Sequence, residues 1–113
     1  MKEFMTINRM AVVVKLNQVF YDWANRVDPD NPVREGVIRE GTVYLIPEFD
    51  DISQAEKYIQ KNYRDIFNNE LNSWYTDESL WPRSRTYTMF REWITLEICE
   101  MIFDTINKPI AKD

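Results

Sequence analysis

The 113-residue chain has no histidine, one cysteine and two glycines, and each scarcity closes off chemistry. Without imidazole there is no Ser-His-Asp triad, no Cys-His pair and no histidine-based metal centre. The single thiol, Cys99, cannot close an internal disulfide, which fits a reducing cytoplasm. It lies in an apolar stretch flanked by Glu97 and Glu100 and reads as a structural thiol. Gly36 and Gly41 stand apart from any GxGxxG or GxxxxGK[ST] pattern, so no phosphate-cradling loop is present. The longest apolar run, Met10 to Val14, falls far short of the roughly 18 residues of a membrane span. The first residues also lack a signal-peptide profile.

Basic charge is the next deficit. Fourteen Lys and Arg face 19 Asp and Glu, a net charge of −5 with a pI near 4.8. Such a surface repels nucleic-acid phosphates and anionic headgroups, which argues against nucleic acid or membrane as partner. Arg83, Arg85 and Arg91 nevertheless cluster in sequence. They form either a small anion site or a set of pairs with nearby carboxylates.

What the chain does have is apolar and aromatic mass, 44% and 14% of residues, enough for a folded core in a single domain spanning 1–113. Residues 1–8 and 107–113 are expected to fray. The β-branched run at 9–16 predicts a central strand, and Val19, Phe20, Trp23, Ala24 and Val27 predict a helix behind an Asn17 N-cap. DPDNP at 28–32 ends that helix. It is no calcium loop, because Val33 and Arg39 stand where the loop needs glycine and glutamate. VREGVIREG at 33–41 is ambiguous between strand and helical turn. Residues 42–49 predict a second strand with Pro47 at its end. Asp51 with Gln54, or Ser53 with Glu56, then makes a capping box that opens the strongest helix, carrying its apolar stripe to about Asn69–Leu71. Ser84 or Thr86 caps a short third helix with Phe90 and Trp93 inward. For 95–103 two periodicities compete, a third strand and a helix fused through Thr86 to Ile106.

The reading is an α+β fold with a small sheet of three strands, four at most, and two to three helices on one face. Tyr44 and Ile46 are expected on the opposite face, covered by an aromatic loop or by a second copy in a homodimer.

Candidate sites follow from the segment 72–93, which holds Trp74, Trp81 and Trp93. Trp74, Tyr75, Asp77, Glu78, Trp81, Arg83 and Arg85 mix aromatics, carboxylates and arginines as binding surfaces do. The competing reading makes the loop 72–85 a plug that closes the core with Trp74 and Trp81. Trp81→Ala separates the two, sparing the fold in the first and breaking it in the second. No residue is assigned a catalytic role and no cofactor is expected. Glu48, Asp50 and Asp51 are carboxylates at a strand end that could hold Mg²⁺ or Ca²⁺, or simply cap the next helix.

The run ELNSWYTDESLWPRSRTYTMFREWI, with TVYLIPEFDD upstream, resembles a pattern in small bacterial single-domain proteins. The likeness covers about residues 9–104 and centres on Trp81-Pro82 and Phe90-Arg91-Glu92-Trp93. That resemblance implies a bacterial, single-domain protein and carries no activity and no functional residue with it. The aromatic and arginine clustering, together with the thin catalytic inventory, leads instead to the expectation of a non-enzymatic, acidic, cytoplasmic protein-interaction or regulatory module that docks through residues 74–93. A small carboxylate-based enzyme or anionic-ligand binder using Glu48, Asp50, Asp77 and Glu78 with Arg83 or Arg85 is the alternative.

Overall fold

A computed structural model describes residues 1–34 and 41–113. Along the chain run β1 (Met5–Thr6), β2 (Met10–Leu16), α1 (Gln18–Val27), β3 (Thr42–Ile46), α2 (Ile52–Trp74), a 3-10 turn (Glu78–Leu80), α3 (Tyr87–Trp93), β4 (Ile94–Cys99) and β5 (Phe103–Asp104). The ambiguous stretch at 33–41 lies largely outside the described residues.

The main sheet has the order β3-β2-β4, all antiparallel, with the β-branched run of β2 at its centre as its apolarity on both faces demands. Met10, Val12 and Val14 point to the helices and are buried, as is Ile46 across from Met10. Tyr44 packs against the same core. The expectation that Tyr44 and Ile46 occupy the uncovered face is therefore corrected. TVYLI is apolar at both parities, so its alternation could not choose a face, and the open face instead carries Val43 (57% exposed) and Leu45 (50%).

Residues 94–99 resolve as a strand. Its register sets Leu96 opposite Val14 and Ile98 opposite Val12, so the alternation that competed with a helical stripe is satisfied by β2. The turn from α3 into β4 has no linker residue. Thr86 caps α3 by accepting from the Met89 N–H at 3.1 Å, and Asn17 secures its far end. Asn17 occupies the N-cap position of α1 but makes no cap hydrogen bond. Its amide donates to the Glu92 carbonyl (2.9 Å) and accepts from the Thr95 hydroxyl (2.6 Å). One asparagine thus ties the start of α1 to the α3–β4 junction.

The 23 residues of α2 span about 35 Å at 1.5 Å per residue. It opens with the capping box expected, Asp51 accepting from the Gln54 N–H at 3.0 Å while the Gln54 side chain returns to the Asp50 and Asp51 N–H groups. It ends one turn later than expected, because Phe67, Leu71 and Trp74 extend the buried stripe at helical spacing past asparagines that look like a terminus.

Aromatics dominate the core between helices and sheet. Phe20, Phe67 and Phe90 are fully buried, and Trp93 meets both Phe20 and Phe67 edge-on at 5.8 and 5.7 Å between ring centroids. Residues 1–8, expected to fray, supply β1, which pairs with β5 (Met5 with Asp104, Thr6 with Phe103) in a second, two-stranded sheet. Residues 107–113 carry no helix or strand.

Candidate functional site

The segment 74–85 is stitched to α1 and to itself by side-chain donors. Trp23 donates its indole N–H to the Leu80 carbonyl (3.0 Å), Tyr75 its hydroxyl to the Ala24 carbonyl (3.2 Å), and Trp81 its indole N–H to the Tyr75 carbonyl (2.8 Å). Trp81 is only 8% exposed and belongs to the main core. Trp74, in the last turn of α2, is half-buried against Phe20 and Tyr21. Trp81 therefore closes the core with little of its ring left to present, whereas part of the Trp74 indole stays exposed.

The polar members of the set divide differently. Asp77 and Glu78 are exposed. Asp77 caps the 3-10 turn, accepting from the Ser79 hydroxyl (2.7 Å) and N–H (3.0 Å), and those bonds hold its carboxyl below the usual range. Burial, aided by Asp28, raises the Tyr75 phenol. Arg85 is half-buried, with its guanidinium 5.5 Å from the Trp81 ring centroid. Arg83 stays exposed beside it.

Glu48 and Asp50 are exposed, and Asp51 is occupied as the cap of α2. The Ser53 hydroxyl and the Gln54 N–H stabilise the charged carboxylate and lower its pKa. Among the described residues no three acidic or thiol side chains gather as a metal cluster, so the strand-end carboxylates do not converge. Likewise, among the described residues, no helix is long and apolar enough to cross a membrane.

Two features escaped sequence reasoning. Glu70 is the buried charged residue of α2, 4% exposed, accepting from the Thr42 hydroxyl (3.1 Å) and from the Tyr44 hydroxyl. Asn69 donates to the same Tyr44 oxygen (2.9 Å). Burial and the bond to Glu70 push the Tyr44 phenol above its ordinary range, keeping it a neutral donor. A glutamate on a helix that is otherwise charged on its outer face gives no sign of pointing inward.

The second feature is a groove of about 270 Å³ between α2 and β4. Ile52, Ile59, Leu96 and Ile98 make its apolar lining, with Tyr87, Glu56 and Arg91 around them. Its position follows from the topology. β4 pairs with β2 on one side, and among the described residues no strand pairs with its other side. The groove thus adjoins an unpaired row of backbone N–H and C=O groups. Tyr87 and Arg91 come from the aromatic segment, so that segment contributes to the groove through α3 rather than through its tryptophans. No family model, curated protein or solved structure matches the chain.

Proposed function

We propose that the protein is a non-enzymatic interaction module that takes up an extended peptide by strand addition along the outer edge of β4. The observation that carries this reading is the groove beside that edge, in which Ile52, Ile59, Leu96 and Ile98 are flanked by Glu56, Tyr87 and Arg91. An added strand satisfies the unpaired backbone groups of β4, and its alternate side chains, about 6.6–6.8 Å apart, fall on the side of Leu96 and Ile98. Arg91 and Glu56 give the groove charges of both signs and so a means of fixing peptide direction and flanking residues. The partner is a protein segment rather than nucleic acid or lipid, consistent with the net charge of −5, and the compartment is the reducing cytoplasm.

The open face of the sheet is the competing surface, with a second copy as occupant. Three strands at about 4.8 Å spacing and about 17–23 Å length give a footprint of roughly 250–330 Å². A standard interface removes about 800 Å² per partner, so this face alone is too small for a stable dimer. Strand addition, by contrast, suits a weak and reversible contact.

The test selects extended peptides from a random display library against the full chain, then maps amide exchange with the peptide bound. Apolar residues at i and i+2 and slowed exchange across Ile94–Cys99 are expected, with Ile98→Lys abolishing binding. Arg91→Glu, on an exposed position, weakens it without affecting the fold. Binders that protect other segments, or that tolerate both substitutions, overturn the proposal.

A further inference from the structure

Arg64, Arg83 and Arg85 open onto a second surface cavity, about 420 Å³, shared with Tyr63, Ser84 and Tyr87. The chain carries five more acidic than basic residues, yet among the described residues no carboxylate lines this cavity. Arg85 is fixed by neutral groups. Its Nε donates to Asn68 Oδ1 (2.9 Å), one terminal nitrogen donates to the Pro82 carbonyl (2.7 Å), and its face lies on Trp81. An amide, a carbonyl and an indole orient a guanidinium without neutralising it.

Arg64 rests over the Tyr63 ring at 6.0 Å, and Tyr63 is itself locked by donating its hydroxyl to the Arg85 carbonyl (2.8 Å). Arg83 has no hydrogen bond or ion pair with any described residue. Three positive charges in one concavity, none paired with a carboxylate among the described residues, concentrate anions there.

Charge count and geometry select among anions. A carboxylate offsets one of the three charges, whereas a phosphoryl group brings about −1.5 to −2 and three acceptor oxygens, which arginine forks match in pairs. The Ser84 and Tyr87 hydroxyls add donors at the wall, and the volume exceeds what a bare oxyanion fills. We propose that this cavity binds the phosphoryl group of a phosphorylated small molecule. The site is independent of strand addition at β4.

Amide spectra of the full chain titrated with inorganic phosphate, against sodium chloride at matched ionic strength, test it. Saturable shifts confined to residues 63–64 and 83–87 are expected, with a dissociation constant in the millimolar range. Phenyl phosphate should bind at least as tightly, since the cavity has room for a carrier. Arg64→Gln with Arg83→Gln should weaken both at least tenfold at unchanged melting temperature, both side chains being exposed, and Arg9→Gln, at an exposed arginine that does not line the cavity, should change neither. Shifts that do not saturate, that chloride reproduces, that survive the double substitution, or an excluded phenyl phosphate overturn the proposal. Peptide uptake at β4 is read separately by exchange protection, so loss of one leaves the other standing.

Discussion

Trp81→Ala is the perturbation that separates core from surface in the tryptophan-rich segment. The indole is 8% exposed, sits in the main core and donates to the Tyr75 carbonyl at 2.8 Å. A buried Trp removes about 150–250 Å² from water, about 4–6 kcal/mol at ~25 cal/mol per Å² as an upper bound. Measured Trp and Phe truncations in cores cost about 3–5 kcal/mol, cavity included, and that is the value expected here. Arg85 would lose the ring beneath it but keep its bonds to Asn68 and Pro82. For a chain of this size, about 4 °C per kcal/mol converts the loss into a fall of about 12–20 °C in melting temperature. Domains are stable by only about 5–15 kcal/mol, so the variant is expected to stay folded but marginal. Urea unfolding followed by circular dichroism measures the loss, with Trp81→Phe as companion. The phenyl ring retains most of the apolar burial and forfeits the N–H donor, so a cost of about 1–2 kcal/mol is expected. A loss below about 1 kcal/mol for the alanine variant would refute the core assignment and return Trp81 to the docking surface.

Other outcomes follow from the polar groups. Asp51 has its carboxyl pKa lowered in the folded state, so its stabilising contribution is complete above the unfolded value of about 3.9 and is lost as pH falls through the folded pKa. Asp51→Asn should therefore flatten the acid limb of stability against pH, and an unchanged acid limb would contradict the cap. Tyr44 is raised, so its contribution is complete below the unfolded value of about 10 and is lost as pH rises through the folded pKa. Urea midpoints measured between neutral and strongly alkaline pH should fall less steeply in Tyr44→Phe than in the parent, and equal slopes would count against a buried phenol at Glu70. Sedimentation equilibrium should give a monomer at micromolar concentration, because the open face is too small to hold a second copy, and a concentration-dependent dimer would reverse that argument.

The legible parts of the chain were those in which one local pattern had one structural solution. Met10–Leu16 is apolar on both faces and can only be central in a small sheet, and Asp51 with Gln54 can hardly do anything but start a helix. Residues 94–99 carried two periodicities, and the choice was made by β2, whose register lies some 80 residues upstream. Tyr44 against Val43 was undecidable locally for the same reason. Its face is set by Glu70 reaching Thr42 and Tyr44 from α2, a contact between a helix position that looks solvent-facing and a strand of either parity. Met5–Thr6 gave no strand signal because two residues are too few for alternation. For the candidate site, composition drew attention to 72–93, and the structure buries Trp81 and Trp93 in the core while leaving Trp74 half-buried. Composition reports that a segment loses water, not whether it loses it to its own core or to a partner.

That distinction explains where the exposed chemistry ended up. A small domain with a three-stranded sheet has little apolar area to bury per residue, so Trp23, Trp81 and Trp93 are buried while Trp74 and five of the six tyrosines pack partly buried against the core. The Trp23, Tyr75 and Trp81 donors pin the loop 74–85. What remains for recognition is whatever the core does not consume. Among the described residues that remainder includes the outer edge of β4 with the groove beside it, and Arg64, Arg83 and Arg85 around the second cavity. Both adjoin Tyr87 at the start of α3, the seven-residue helix that carries Phe90 and Trp93 inward and leaves Tyr87 and Arg91 outward. The same helix therefore anchors the core by one face and supplies the walls of both surface cavities by the other. Substitutions at Phe90 or Trp93 should lower stability and binding together, whereas substitutions at Arg91 should lower peptide binding alone.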